Sequence, residues 1–370
     1  MSKIGIDIIG FPRGKLGIGE QSRSLARVAL AAGYQINFID CFHESDNLKN
    51  DDSEFDAFIT KKFCYPLRIY SLTQPHIGAL VYRFGINFFM NKHNIFHLAW
   101  EFEKRPSYLD DVLRFADEIW GISSFTARCF ANDLGIPVQT MPNALPPLKG
   151  YGNATRADFD LPINKFLFYS TFDINSTISR KNPMASIMAF KQAFDNNEDV
   201  GLVLKASNVK KDFPAWKELE SLISSDNRIF LVTQTLPREM LTNLCMCCDA
   251  YVSLHRSEGF GLGLIEAFNL KKPVVCTSFS GNMDFCSDDT AYLVDYEIVP
   301  VQSDEYPYSD GLVWANPSIS CAANQMREVY FNSNVRERKV CAAYDLSKNF
   351  SARSLAPRFS SLVTNFLKRM

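Results

Sequence analysis

The chain has 370 residues, 46% of them apolar, with 39 Lys and Arg against 41 Asp and Glu and a formal net charge of −2. That length holds two ordinary α/β domains with separate cores, and the near-balanced charge argues against a nucleic-acid surface as the main business. The sequence has no apolar run of about eighteen residues, the minimum for a spanning helix, and Met1-Ser2-Lys3-Ile4-Gly5 leads straight into a strand pattern without signal-peptide features, so a soluble, cytoplasmic protein is expected.

In chain order, Ile4 to Ile9, Gln35 to Ile39, Leu67 to Ser71, Ile95 to Ala99, Glu118 to Ile122 and Val138 to Met141 read as strands with helical stretches among them. Gly17-Ile18-Gly19-Glu20-Gln21-Ser22 follows the first strand and opens a helix, and Asp40 ends the next strand. That pattern is close to a dinucleotide-binding fingerprint. It departs in three ways: Ser22 stands where the third glycine belongs, an insertion from Phe11 to Gly17 separates strand from motif, and the second half carries a better nucleotide-type site. Pro142, Pro146, Pro147, Gly150, Gly152 and Asn153 mark a connector. Phe166 to Thr171, Val200 to Ala206, Arg228 to Val232, Ala250 to Leu254, Val274 to Thr277 and Ala291 to Val294 form a second series. The tail, Ser351 to Met370, has Leu355, Phe359, Leu362, Val363 and Phe366 at helical spacing. The predicted organisation is an N-terminal Rossmann-like domain over 1–148, a linker over 149–164, a second such domain over 165–348 and a terminal helix over 349–370. Two sequential α/β halves imply two doubly wound sheets facing across a cleft.

The segment Ser257-Glu258-Gly259-Phe260-Gly261-Leu262-Gly263-Leu264-Ile265-Glu266 places two carboxylates either side of a glycine-rich turn that runs into an apolar helix. It begins at the carboxyl end of a strand, where loops and helix N-termini offer backbone N–H groups. Such a site suits a ligand rich in hydroxyls and phosphate. Ionised oxygens make short, strong bonds to vicinal hydroxyls, and cations are needed against phosphate. Arg180 and Lys181, in the loop after Phe166 to Thr171, are the first candidates; Lys205, ending an apolar strand, is a second, because an unpaired lysine there is costly to bury. The plainer alternatives are a solvated basic pair at 180–181 and a Glu266 that only favours its helix start. A paired-carboxylate hydrolase needs both acids facing one bond and gives no role to Arg180 or Lys181. Of the ten cysteines, Cys41, Cys129 and Cys276 lie in apolar patterns suited to reduced thiols. Cys245-Met246-Cys247-Cys248 is the one cluster that invites a metal, but Cys245 and Cys248 share a helix face and have no second Cys/His pair at ligand spacing, so no metal is expected. Lys61-Lys62 and Lys104-Arg105 offer positive charge to an anionic membrane surface, or are simply solvated.

A Glu, seven residues and a second Glu, with Gly-Phe-Gly directly after the first, resembles the donor-site signature of glycosyltransferase family 4. Further stretches agree in order and spacing with members that build bacterial surface polysaccharides: Ala99-Trp100-Glu101, Asp117 to Trp120, Ser123 to Thr126, Ser179 to Pro183, Ser280 to Phe285, and Tyr292 to Tyr296 with Val299-Pro300-Val301. The resemblance implies the GT-B architecture, a terminal helix that crosses back to the first domain, and a retaining, metal-independent hexosyltransferase without cofactor. Its co-substrate is a nucleotide diphosphate sugar, with mannose from GDP-mannose as the first expectation. The acceptor is a growing, lipid-linked glycan, and the protein is cytoplasmic or peripheral at the membrane's inner face. By resemblance Arg180, Lys181 and Glu258 are catalytic, with Glu258 touching the transferred sugar. Gly17, Gly19, Lys205, Gly259, Phe260, Gly261, Leu262 and Glu266 bind the donor, Glu266 through ribose hydroxyls. His97, Glu101 and His255 contact acceptor or sugar, and Thr233-Gln234-Thr235-Leu236 borders the base. One departure is that Arg180 and Lys181 are adjacent, where many relatives space the pair apart. Three other readings stay open: a catalytically silent carbohydrate-binding or assembly subunit, a nucleotide-sugar epimerase, and an NAD-dependent dehydrogenase built on Gly17 and Asp40.

Overall fold

The computed structural model describes residues 4–14, 17–40, 54–107, 110–131, 135–147, 152–195, 197–307 and 309–369; Cys41, Gly150 and the stretch Met1 to Lys3 named above lie outside them. The chain divides into two compact units, Met1–Pro146 with Asn349–Met370, and Pro147–Lys348.

The first unit runs β1 (Ile6–Gly10), α1 (Gly17–Ala31), β2 (Ile36–Asp40), β3 (Ile59–Thr60), β4 (Leu67–Leu72), α2 (Gln74–Phe84), β5 (His93–Leu98), α3 (Asp110–Leu113), β6 (Glu118–Gly121), α4 (Ser124–Ala131) and β7 (Val138–Thr140). The strands form one parallel sheet in the order β3-β2-β1-β4-β5-β6-β7. Parallel strands covered on both faces read as continuous apolar runs, and β1 and β4 are buried at every position. The C-terminal helix, Ala352–Arg369, packs in this unit: Leu355, Ala356, Phe359, Val363 and Phe366 join Ile8, Tyr34 and Trp120 in its core. Phe359 meets Tyr34 and Trp120 edge-on, at 5.5 and 5.6 Å between ring centres.

The second unit runs β8 (Phe166–Asp173), α5 (Ile178–Lys181), α6 (Pro183–Ala193), β9 (Val200–Ser207), α7 (Pro214–Ser224), β10 (Ile229–Val232), α8 (Arg238–Cys247), β11 (Ala250–Ser253), α9 (Leu262–Asn269), β12 (Val274–Thr277), β13 (Tyr292–Val294), β14 (Tyr296–Pro300), β15 (Val313–Pro317), α10 (Ile319–Phe331) and α11 (Ser333–Ser347). Its parallel sheet has the order β10-β9-β8-β11-β12-β13. The sequence reading has no counterpart for β14 and β15, which pair antiparallel as a separate two-stranded ribbon. In each main sheet the strand order reverses once, between β1 and β4 in the first and between β8 and β11 in the second. Ligands of open α/β sheets bind outside the carboxyl ends of the strands at such a reversal. Among the described residues no helix is long and apolar enough to cross a membrane.

Candidate functional site

The loops leaving β8 and β11, the two strands at the second unit's reversal, carry Arg180, Lys181 and Glu258. After β8, Asp173 accepts a hydrogen bond from the Asn175 N–H at 2.9 Å and starts a short turn. The sequence reading puts Arg180 and Lys181 on a loop; instead they end the one-turn helix α5. That turn is held between two residues in positive-φ backbone, Thr177 (φ 69°) and Asn182 (φ 51°). The Asn182 side chain donates to the Leu254 carbonyl at 3.1 Å, tying the β8 loop to the β11 loop, and Pro183 then opens α6. Asn tolerates the left-handed region better than most residues, and proline is pre-set for a first helical position.

Three contacts lock the cationic turn against the glutamate loop. The Arg256 N–H donates to the Arg180 carbonyl at 2.8 Å. Arg180 Nη1 donates to the Ser257 carbonyl at 2.9 Å and lies 3.5 Å from Glu258 Oε2. Lys181 Nζ meets Glu258 Oε1 at 2.5 Å. Burial raises the Glu258 carboxyl, but Lys181 and Arg180 outweigh it and hold the group down to about 2. The cluster of two cations and one ionised carboxylate therefore keeps a net positive charge, which matches an anionic ligand.

Behind Glu258, its N–H donates to Ser280 Oγ at 2.8 Å, and the Gly281 N–H donates to the Glu258 carbonyl at 2.9 Å. Ser280 is held at φ 78°, a strained state that persists where the surroundings over-determine it. Two glycines are required by space. A Cβ on Gly281 would lie 2.2 Å from the Gly259 carbonyl oxygen, and one on Gly263 2.4 Å from Tyr251 Oη. Gly261, at φ 91°, caps the N-terminus of α9. Glu266 stands in the second turn of α9, paired with Arg238, the first residue of α8.

Other residues singled out from the sequence lie deeper. Phe260 is buried with its ring 5.4 Å from Phe285, so only its backbone faces the turn. Lys205 is buried, its Nζ donating to the Ala206 carbonyl at 2.8 Å and to Ser207 Oγ at 3.1 Å, and burial lowers it to about 8 despite Asp173. His255 is buried between Ser253 Oγ at 3.0 Å on Nδ1 and Asn282 Oδ1 at 3.0 Å on Nε2. His97 is buried between Ser71 Oγ at 3.2 Å and the Met141 carbonyl at 2.9 Å, and burial lowers it to about 4. Both imidazoles are thus neutral at pH 7 with both nitrogens occupied, and neither presents a ring nitrogen to a ligand.

In the first unit, a Cβ on Gly19 would lie 2.3 Å from the Gly14 carbonyl oxygen, whereas Gly17 is exposed with open space around it. At the third-glycine position of the dinucleotide pattern, Ser22 Oγ accepts from the Phe11 N–H at 3.3 Å and donates to the Ser71 carbonyl at 3.0 Å, fastening α1 to β4. Glu101 is partly exposed just after β5, and Thr233 to Thr235 are exposed after β10. Arg105 turns inward to Asp110 at 2.6 Å and the Cys129 carbonyl at 2.5 Å, which corrects its reading as an exposed basic group. Cys245 and Cys248 are buried, with the Cys245 thiol pushed up to about 12 by burial; among the described residues no group of three or more His, Cys, Asp and Glu forms a metal set. Arg238, Ser280 and Arg256 received no role from the sequence. Arg238 carried no motif signal, while Ser280 belonged to a motif whose physical task is visible only once its Oγ is seen under the Glu258 N–H.

Residues 168–300 match the family model of the glycosyl transferases group 1. That stretch contains Arg180, Lys181, Glu258, Glu266 and the Ser280 turn, and it stops at the end of β14. No curated protein sequence matches the chain at a significant level. Solved structures similar to it include sucrose-phosphate synthase from Thermosynechococcus elongatus, at TM-score 0.71 and 15% identity over 100% of both chains. HepE from Anabaena, in complex with UDP and glucose, matches at TM-score 0.70 and 14% identity over 98% of this chain and 100% of that one. The pneumococcal O-GlcNAc transferase GtfA, in complex with UDP and GlcNAc, matches at TM-score 0.57 and 16% identity over 81% of this chain and 56% of that one. The fold is the GT-B type, two doubly wound Rossmann-like units.

Proposed function

We propose that this chain is a glycosyltransferase that moves a hexose from a nucleoside diphosphate sugar to a glycan acceptor. The observation that carries the reading is the Arg180, Lys181 and Glu258 cluster at the reversal of the second sheet, inside the stretch matched by the group 1 family. As the bond from sugar to β-phosphate stretches, negative charge grows on the leaving diphosphate; fixed cations aimed there stabilise the transition state more than the ground state. Glu258, kept ionised, is suited to accept hydrogen bonds from sugar hydroxyls, and Glu266 from ribose hydroxyls on exchanging its Arg238 contact. In this reading the leaving phosphate oxygen takes the acceptor's proton, configuration is retained and no metal is required. A cytoplasmic setting and a lipid-linked acceptor go with it.

UDP-glucose is the first donor to test, because HepE and GtfA were solved with UDP and a sugar; GDP-mannose, which the sequence resemblance favours, is the second. The test is thermal stabilisation by UDP, GDP, ADP, NAD and their sugar conjugates, repeated with Lys181→Ala and Glu266→Ala. A ligand at 100 times its Kd adds about 2.7 kcal/mol. One nucleoside diphosphate should stabilise the protein and lose its effect in both variants, and turnover in Lys181→Ala should fall about 100- to 1000-fold. Stabilisation by NAD alone, indifferent to both substitutions, overturns the reading.

A further inference from the structure

The buried imidazole of His255 stands on the same loop as Glu258, just after β11, and the transfer chemistry gives it no task. Its tautomer is set by its neighbours. Asn282 Nδ2 donates to the Thr277 carbonyl at 3.0 Å, and a carbonyl can only accept, so the amide oxygen Oδ1 is the atom turned to the ring. Nε2 meets that oxygen at 3.0 Å and the Phe279 carbonyl at 3.4 Å, two acceptors that require a proton on Nε2. Nδ1, 3.0 Å from Ser253 Oγ, then accepts from the hydroxyl. Burial lowers the imidazole despite the neighbouring Glu258, so the ring is neutral at pH 7 and has one N–H to give.

That donor grips the turn after β12 on either side of Ser280. Ser280 Oγ donates to the Phe279 carbonyl at 2.5 Å and accepts from the Glu258 N–H at 2.8 Å, while the Gly281 N–H donates to the Glu258 carbonyl at 2.9 Å. The turn does not hold this shape by itself. Ser280 lies at φ 78°, ψ −147°, a sparsely populated backbone state that persists only where the surroundings over-determine it. Phe279 and the fully buried Asn282 are the two points through which His255 supplies that constraint.

We propose that His255 is a positioning residue, whose Nε2–H fixes Phe279 and Asn282 around Ser280 and so sets the backbone from which Glu258 meets Lys181 and the transferred sugar. It touches no ligand itself. The inference rests on the transferase reading for the task of Glu258, and adds to it the residue that holds the loop. Volume alone does not account for an imidazole here. An apolar side chain of similar size would fill the space but take away the donor to Asn282 Oδ1, and a buried acceptor left unmet costs more than the bond contributes.

The test compares two amides. The glutamine side chain reaches the place of imidazole Nε2 and the asparagine side chain only that of Nδ1, so the pair separates the donor from the rest of the ring. His255→Gln should keep kcat within about threefold of the parent, whereas His255→Asn should lose about 10- to 100-fold with little change in donor KM, as small misplacements of reacting groups do. Asn282→Ala should fall as His255→Asn does, and the double variant no further, because both break one link. Isotopic labelling of the five histidines gives a readout free of turnover. At pH 7 the His255 ring, assigned by its loss in His255→Gln, should show a protonated Nε2 and a bare Nδ1. A glutamine variant as slow as the asparagine one, additive losses in the double variant, or an Nδ1–H tautomer overturns the proposal. So does a lower melting temperature of His255→Asn with unchanged kcat, which would make His255 a core residue only, and so does failure of both amide variants to fold, since glutamine keeps the donor. A parent that turns over no donor sinks the transferase reading alone; the tautomer and the melting temperatures, with glutamine nearer the parent than asparagine, still decide the role of His255.

Discussion

Lys205 shows what a single buried charge costs and why a fold keeps it. Two residues before the end of β9, its Nζ donates to one backbone carbonyl and one hydroxyl, with no carboxylate of the described residues in hydrogen-bond contact, and burial lowers it to about 8. An unfolded lysine titrates near 10.4. Between about 8 and 10.4 the folded state binds fewer protons than the unfolded one, so stability rises with pH through that window; below 8 the folded state bears the full cost of the buried charge. Lys205→Met, similar in volume, should therefore be at least as stable as the parent at pH 7, and the advantage should shrink between pH 8 and 10.4. Melting temperatures of the two proteins across that range, taken as a difference to cancel other lysines and tyrosines, check this. A difference that does not change with pH would mean Lys205 is not the group depressed. The sequence showed that a lysine here needs a reason. It could not show that His97 and His255 are consumed by their own neighbours, because alternation along a strand says which face a side chain takes and nothing about which carbonyl or hydroxyl waits there.

At the scale of elements, the parallel strands were legible because burial on both faces leaves long β-branched and aromatic runs, and each predicted strand of the two series corresponds to one of the structure's parallel strands, with ends that differ by up to two residues. The ribbon β14–β15 was not legible. β14 follows β13 after Asp295 alone, so no turn residues set its Tyr-Glu-Ile-Val-Pro run off as a separate strand, and its connection to β15 is far longer than the tight turns that announce a hairpin. Yet the ribbon reaches the site. The Ala315 N–H donates to the Arg256 carbonyl at 3.0 Å, the Arg256 guanidinium lies 5.0 Å over the Trp314 ring, and Arg256 Nη1 meets Glu305 at 2.7 Å. The Arg256 backbone N–H in turn donates to the Arg180 carbonyl, so the Arg256 side chain acts on the site by fixing the backbone that holds Arg180. The family match ends at residue 300, so Glu305, Trp314 and Ala315 are features beyond it. Arg256→Gln should then lower turnover on the order of 10- to 100-fold, as small misplacements of positioned groups do, with a smaller change in KM. Arg256→Lys should restore only part of it, because lysine keeps the charge for Glu305 but loses the planar stack on Trp314. Steady-state kinetics with a fixed donor decide it; a fall in stability with unchanged turnover would leave Arg256 a purely structural residue.

At the scale of the whole molecule, the chain leaves the first unit at Pro146 and returns at Asn349, so the last helix completes a core begun more than three hundred positions earlier. Leu355, Phe359, Val363 and Phe366 enter that core. Full burial of side chains of this size stabilises by about 1.5–3 kcal/mol each, hence on the order of 6–12 kcal/mol together, against a typical domain stability of about 5–15 kcal/mol. The same helix also ends on Arg369, which pairs with Glu118, a carboxylate buried at the start of β6 whose pKa burial raises. Removing residues 349–370 should therefore unfold the first unit, both by exposing its core and by leaving Glu118 buried without its cation. Among the described residues, the second unit's core includes none of this helix. A chain of residues 147–348 should fold alone, with one cooperative calorimetric transition that shifts upward with the nucleoside diphosphate that stabilises the full protein. A 1–348 chain should show that transition and lack the one belonging to the first unit. If 1–348 keeps both transitions near their original temperatures, the C-terminal helix is only laid on the first unit and does not complete it.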